Sequence, residues 1–186
     1  MKKIVVLVLI LLILIISYLS YKDNLSTDKN ILRDDKIECS INSKTVTISG
    51  NSMYPFFNSG EDVQALFNYY DCYDILRNDI VLYKYSGSSN LLIKFIKAIP
   101  GDKWNLEKTD NGYKIIVNDT PLLNSEGKTY LIPESSTKMI KLYTKDYPII
   151  PIDTYLLLGN KTDGSMDSTS FGLISKKDIM AKVEKE

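Results

Sequence analysis

A mainly β domain behind an N-terminal apolar segment is the fold class this sequence predicts. Past residue 36 the apolar residues come in short β-prone runs, and Gly, Pro, Asn and Asp turn signals separate them. No stretch after the apolar start reads as a long helix, and no internal repeat is visible.

Ile4 to Ile16 is uninterrupted Ile, Val and Leu, preceded by Lys2 and Lys3 and extended by Ser17-Tyr18-Leu19. This approaches the roughly 20 apolar residues that span a bilayer, with lysines to snorkel at one end and Tyr18 and Tyr21 suited to the other interface. A cleavable signal peptide is the rival reading, but no small-x-small pair follows: Ser17 is matched by Leu19, Ser20 by Lys22 and Ser26 by Asp28. Residues 1–21 are therefore expected to be an uncleaved single-pass anchor in the lipid bilayer. Its orientation does not follow from charge, because Lys22, Lys29, Arg33 and Lys36 offset Lys2 and Lys3. Residues 22–36 are polar and charge-mixed and read as a tether. Residues 37–186 suffice for one domain with a modest core.

Within that domain, Thr45 to Ile48 is a β-prone run that leads into Gly50-Asn51-Ser52-Met53-Tyr54-Pro55, where Pro55 stops the strand from continuing. Asp62 to Phe67 alternates apolar and polar side chains as a half-buried strand does. Asp79 to Tyr85 forms the next strand, and Ser86 to Asn90 a turn-rich link to Leu91-Leu92-Ile93-Lys94-Phe95-Ile96-Lys97-Ala98-Ile99, which Pro100-Gly101-Asp102 closes. Lys103 to Leu106 and Tyr113 to Val117 flank Asp110-Asn111-Gly112, a hairpin signal. Leu122 to Pro151 is interrupted by Pro133, Pro148 and Pro151 and predicts loops with short strands. Thr154 to Leu158 then delivers a loop from Gly159 to Ser168, and Gly172 to Ile174 with Ile179 to Val183 would close the sheet.

Two residues carry chemistry. Ser52 sits in a turn directly after a strand, a place suited to a nucleophile. Lys94, read on a strand, shares a face with Leu92, Ile96 and Ala98, where burial disfavours its ammonium form. Lowering a lysine from ~10.4 to about 8 costs about 3 kcal/mol, a penalty that points to function. Lys97 falls on the opposite face and is expected to reach solvent. The chain has no histidine, which excludes Ser-His-Asp and Cys-His catalysis, so a serine nucleophile here needs lysine or a carboxylate as its base.

Charge is balanced, 23 basic against 23 acidic residues, which argues against a nucleic-acid partner. Asp163 and Asp167 lack the ligand density of a calcium loop, and no metal or other cofactor is expected. Cys39 and Cys72 either pair as a disulfide or are two separate buried thiols. Tyr54, Phe56 and Phe57 read either as an interfacial rim or as core, and Phe67 as core.

Four boxes in order, Gly50 to Pro55, Arg77-Asn78-Asp79-Ile80-Val81, Lys94 with Pro100-Gly101-Asp102, and Gly159 to Ser168 followed by Phe171-Gly172, resemble those of bacterial type I signal peptidases. The resemblance covers most of Ile48 to Gly172. It implies a β-sheet catalytic domain behind one transmembrane helix, on the extracytoplasmic side of the cell membrane. It also implies a Ser52–Lys94 dyad that cleaves signal peptides from secreted preproteins after small-x-small motifs. Ser165 would orient the Lys94 amine, with Asp163 and Asp167 in support. The Ser52 N–H and the Gly50 region would receive the oxyanion, and Met53, Leu92 and Ile93 would wall the substrate site. The chain departs from the family pattern at Asn160, Thr162 and Thr169, and Phe95 replaces the arginine that commonly follows the base. Each change removes a charge. The alternative implied by these changes is a proteolytically silent scaffold that assists assembly of surface proteins or fibres.

Overall fold

The computed structural model describes residues 15–19, 39–85, 91–163 and 165–185. Residues 15–19 are helical and exposed. Among the described residues no helix is long and apolar enough to cross a membrane. The expected tether, and all of the expected anchor but 15–19, lie outside the described residues.

Residues 39–186 form a unit of their own, built on two antiparallel sheets. The larger has seven strands in the order β1-β2-β11-β3-β4-β9-β10. In chain order these are β1 (Asn42–Thr47), β2 (Asp62–Phe67), β3 (Ile80–Lys84), β4 (Leu91–Ala98), β9 (Thr154–Leu158), β10 (Ile174–Ser175) and β11 (Ile179–Glu184). The smaller sheet holds the hairpin of β5 (Trp104–Thr109) and β6 (Gly112–Val117), with β7 (Thr120–Pro121) and β8 (Leu131–Ile132) both against β6. The predicted Asp110-Asn111-Gly112 turn closes that hairpin, pairing Thr109 with Gly112. Gly112 is required there twice over: its φ is +135°, and a Cβ would stand 2.3 Å from the Ile132 carbonyl oxygen.

Each sheet buries its apolar alternation. Ile80, Leu82 and Phe95 pack with Ile48, Met53, Phe57 and Val63 in one cluster, while Val81, Tyr83, Ile96 and Leu157 fill another on β3, β4 and β9. A third joins Trp104, Ile115 and Val117 of the hairpin to Ala98, Leu156 and Leu158. Phe57 is fully buried, and Phe56 lies edge-on to it and to Phe95, so these rings serve the core and not an interfacial rim. Phe67 packs against the same core, and Tyr54 alone of the group is exposed.

Three expectations need correction. Leu122 to Pro151 contains the short strands expected, and also a nine-residue helix, α1 (Lys138–Asp146). It buries only Ile140 fully, so its apolar stripe is too thin to stand out in sequence. The last strand, β11, joins the sheet as expected, between β2 and β3. Lys97 is the second correction and Ala98 the third: Lys97 is 7% exposed, its ammonium donating to Asn78 Oδ1 at 3.2 Å and to the Leu123 carbonyl at 3.0 Å. The face opposite Lys94 is covered as well. A register shift between Ile96 and Ala98 places an extra β4 residue against β9 and carries Ala98 into the hairpin's core, away from the Lys94 face it was expected to share.

Burial pushes the Lys97 pKa from its ordinary 10.5 down to about 8. Between those values the unfolded chain binds the proton that the folded chain releases, so stability rises with pH across that window. Lys94 contributes with the same sign. Lys97→Met is expected to remove about half of that rise, read as the difference in Tm between about pH 7 and about pH 10 for wild type and variant. An unchanged rise would mean that the Lys97 amine stays charged in the fold.

Cys39 and Cys72 are joined as a disulfide, with Cα atoms 5.8 Å apart. It ties the residues ahead of β1 to the 3-10 turn at Tyr69–Asp71 that follows β2.

Candidate active site

Ser52 lies in the turn between β1 and β2. Gly50 takes φ +80° to leave the strand direction, and the Tyr54–Pro55 peptide is cis. Tyr54 N–H donates back to the Asn51 carbonyl and Phe57 N–H to that of Met53, which tightens the turn, while the buried Met53 and Phe57 side chains fasten it to the core. Lys94 is in the middle of β4, opposite Val81 of β3, and is 2% exposed. Its Nζ stands 2.9 Å from Ser52 Oγ and donates to the Ile93 carbonyl at 2.8 Å. Burial lowers the Lys94 pKa to about 8, and the nearby Asp167 carboxylate opposes that shift. A lysine so placed loses its proton far more readily than one in water, and its free amine then faces the serine hydroxyl.

The loop after β9 supplies the second side of the site. Asp167, 2% exposed, caps the short helix α2 (Ser168–Phe171): its Oδ1 accepts from Thr169 N–H at 3.0 Å and Thr169 Oγ1 at 2.8 Å. Asp167 Oδ2 accepts from Gly159 N–H at 2.9 Å and from the Ser165 hydroxyl. Ser165 thus directs its hydroxyl to Asp167, and the partners of the Lys94 amine are Ser52 and the Ile93 carbonyl. Asp163 is exposed. The loop packs tightly on the nucleophile turn. A Cβ on Gly159 would stand 2.5 Å from Ser165 Oγ and 2.7 Å from the Ser52 carbonyl oxygen.

Asn160, fully buried, binds the two together. Its backbone N–H donates to the Ser52 carbonyl at 2.7 Å, its Nδ2 to the Tyr54 carbonyl at 3.2 Å, and its Oδ1 accepts from Ser125 N–H at 2.9 Å. With its carbonyl turned to Asn160, Ser52 has its N–H left over, and no acceptor among the described residues takes it. Beside Ser52 a cavity of 80 Å³ opens, walled by Ile48, Met53, Leu82, Leu92 and Ile93 with Gly50 at its rim. Among the described residues no cluster of His, Cys, Asp and Glu is arranged to hold a metal ion.

The model of the family "signal peptidase, peptidase S26" matches residues 36–185. The chain belongs to this family. Among relatives of this signal peptidase family member, signal peptidase IB of Staphylococcus aureus strain Mu50 / ATCC 700699 is 29% identical over 144 residues, covering 74% of this chain and 73% of that one. Inactive signal peptidase IA of S. aureus strain COL is 28% identical over 141 residues, covering 73% and 74%. A crystal structure of a signal peptidase I from Enterococcus faecalis V583 aligns with a TM-score of 0.42 at 16% identity, over 59% of this chain and 97% of that one. By family the protein is a peptide-bond hydrolase of the signal peptidase type.

The departures noted in the sequence have structural counterparts in this signal peptidase. At position 160 an aspartate could accept from Ser125 but not donate to the Tyr54 carbonyl, whereas asparagine does both. Thr169 gives Asp167 two neutral donors in place of a cation. Phe95 fills the core against Phe56, under the Lys97 ammonium, which is 4.8 Å from its ring. Sequence reading missed Asn124 and Tyr130. Asn124 Nδ2 donates to the Asn160 carbonyl at 3.0 Å, and the Tyr130 hydroxyl to the Gly159 carbonyl at 2.6 Å. The only available signal was Asn124-Ser125-Glu126-Gly127, which reads as an ordinary turn.

Proposed function

We propose that the chain is a membrane-bound serine endopeptidase that removes signal peptides from secreted preproteins with Ser52 as nucleophile and Lys94 as base. The observation that carries this reading is the 2.9 Å contact between the buried Lys94 amine and Ser52 Oγ, from residues 42 apart in sequence. Neutral Lys94 takes the proton from Ser52 Oγ as the oxygen bonds to the scissile carbonyl carbon. The C–N bond then breaks as the same proton passes to the leaving amine, and an acyl-enzyme remains. Water, deprotonated by Lys94, releases the acid and restores Ser52. The Ser52 N–H, which no acceptor among the described residues takes, is suited to the developing oxyanion, with Gly50 beside it. Asp167 and Ser165 support the dyad from the loop side, and Asp163 is exposed, with no bond to them among the described residues.

The cavity supports the choice of substrate. At 80 Å³ it is about half the ~150 Å³ that accommodates a benzene ring in an apolar protein cavity, so Met53, Leu92 and Ile93 admit alanine-sized side chains and reject aromatic ones. An extended substrate would add along the Leu91–Ile93 end of β4. The Ile4 to Ile16 run supports a single membrane anchor, and the Cys39–Cys72 disulfide fits a domain on the oxidising, extracytoplasmic side.

The test is the pH profile of kcat/KM on a peptide with an Ala-x-Ala site. It is expected to rise along one acid limb centred near pH 8, because only the neutral amine accepts the serine proton. A rate that stays flat from neutral pH to about 10 would remove Lys94 from the role of base. The non-proteolytic scaffold would show no turnover at any pH while remaining folded.

A further inference from the structure

Of residues 123–130, the turn that leads into β8, only Asn124 and Tyr130 are buried. Asn124 Oδ1 closes that turn by accepting from Glu126 N–H and Lys128 N–H, both at 2.9 Å. Its Nδ2 donates to the Asn160 carbonyl at 3.0 Å, and at 3.5 Å to Glu126 Oε2. The Tyr130 hydroxyl donates to the Gly159 carbonyl at 2.6 Å. The two carbonyls so gripped belong to successive peptide groups, Gly159–Asn160 and Asn160–Lys161. In a trans peptide the N–H points away from the C=O, so a donor that fixes the oxygen also aims the hydrogen. Both hydrogens are aimed at one acceptor. The Ser52 carbonyl accepts from Asn160 N–H at 2.7 Å and from Lys161 N–H at 3.3 Å.

We propose that Asn124 and Tyr130 are positioning residues for the nucleophile: by gripping two successive carbonyls they aim two N–H groups at the Ser52 carbonyl, and so hold Ser52 Oγ against the Lys94 amine. This rests on the Ser52–Lys94 reading above. The physical argument is one of fixed torsions. Holding the Ser52 carbonyl fixes the rotation about its Cα–C bond, while Tyr54 N–H, bonded to the Asn51 carbonyl at 3.1 Å, closes the turn around the serine. The hydroxyl then has little freedom to leave the 2.9 Å contact with Lys94 Nζ. Each hydrogen bond in such a chain also polarises the next, which strengthens the grip of the two N–H groups. Packing alone does not ask for these residue types. An apolar side chain of similar shape would fill either place, whereas both buried groups here spend a donor on the same two peptides.

The experiment measures kcat and KM separately for full-length wild type, Tyr130→Phe, Asn124→Asp and, as a comparison, Tyr70→Phe on the Ala-x-Ala peptide. Rates are taken at about pH 10, where a change in the Lys94 titration no longer alters them. Tyr130→Phe removes the hydroxyl alone, and Asn124→Asp keeps both acceptor bonds that close the turn while removing the donor. Tyr130→Phe is expected to lower kcat roughly tenfold and Asn124→Asp about threefold, the smaller loss because the N–H it aims makes the longer contact. KM is expected to hold, since Met53, Leu92 and Ile93 stay in place. Tyr70→Phe loses a hydroxyl bond to Asp79 at 3.1 Å, which serves the frame, and is expected to keep the wild-type kcat. An equal loss of kcat in Tyr70→Phe, or a loss that falls in KM, overturns the proposal. Should Asn124→Asp not fold, Tyr130→Phe decides, and an unchanged kcat there overturns it. A folded wild type that cleaves nothing would instead strike at the dyad, and this inference would go with it.

Discussion

Ser52→Ala, Lys94→Ala and the double variant are all expected to fall to the same residual rate, a loss of roughly 10⁴-fold or more in kcat/KM. The proposed mechanism gives the two residues one task, since the alkoxide forms only as the amine takes its proton. Each single change removes that task entirely, so the second has nothing further to remove, and the logarithms of the losses do not add. Two structural defects in separate elements behave differently. β4 and the turn after β1 would then contribute independent losses, and the double variant would be the product of the singles. Full activity in Lys94→Ala would defeat the dyad while leaving family membership untouched. A wild type that is folded and cleaves nothing would favour the silent scaffold instead. Far-ultraviolet circular dichroism on all four proteins separates lost chemistry from lost fold. Unfolding is not expected, because Lys94→Ala removes a buried amine whose partners among the described residues are a serine and one carbonyl.

Gly159→Ala is expected to cost about 10²-fold in kcat/KM. The added methyl would meet Ser165 Oγ at 2.5 Å and the Ser52 carbonyl oxygen at 2.7 Å, separations that real Cβ atoms do not tolerate. Neither neighbour can retreat freely. The Ser52 carbonyl is held by Asn160 N–H, and the Ser165 hydroxyl is committed to Asp167. The loop and the nucleophile turn must therefore separate by up to about an ångström, and a misplacement of that size in a reacting pair is worth about 10²-fold. Stability should fall by about 1–3 kcal/mol, as for other overpacked interiors. The kinetic loss should exceed what unfolding explains at temperatures well below Tm. Pairing Gly159→Ala with Ser165→Gly removes one of the two clashes and should recover part of the rate. No recovery would place the damage wholly at the Ser52 carbonyl.

The proposed pairing of Ser52 with Lys94 could be read from the sequence because each residue violates a local preference, and the two stand 2.9 Å apart in the fold. A lysine inside an apolar strand and a serine at a strand stop ask for a reason, and the absence of histidine supplies it. Strands β2 to β6 and β9 were legible through alternation and the Asn-Gly turn, which act over a few residues. What stayed hidden depends on pairs far apart in the chain. Arg77 and Asp102 were both singled out as parts of separate boxes, yet nothing local says that they bond to each other at 2.6 Å, with Asn118 as a third partner. The Arg77 box and the Asp102 end of the Lys94 box thereby brace the frame. Lys97 misled for a related reason: alternation gives the face correctly, but whether a second layer covers that face is decided by Tyr130 and Leu123, more than 20 residues away. Asn160 was read as a lost charge, because a substitution shows what is gone and not the donor that asparagine adds.

The Cys39–Cys72 bond has a consequence for the enzyme's survival among other peptidases. It closes a covalent ring around the segment that contains β1, Ser52 and β2. A protease that nicks one exposed peptide bond inside that ring converts the chain into two pieces that cannot diffuse apart. The β1 to β2 pairing is then re-formed within a single molecule at high effective concentration. The nucleophile should accordingly outlast such a nick. The nicked protein should run as one band without reductant and as two with it, and the addition of thiol should be what finally frees the two pieces from each other.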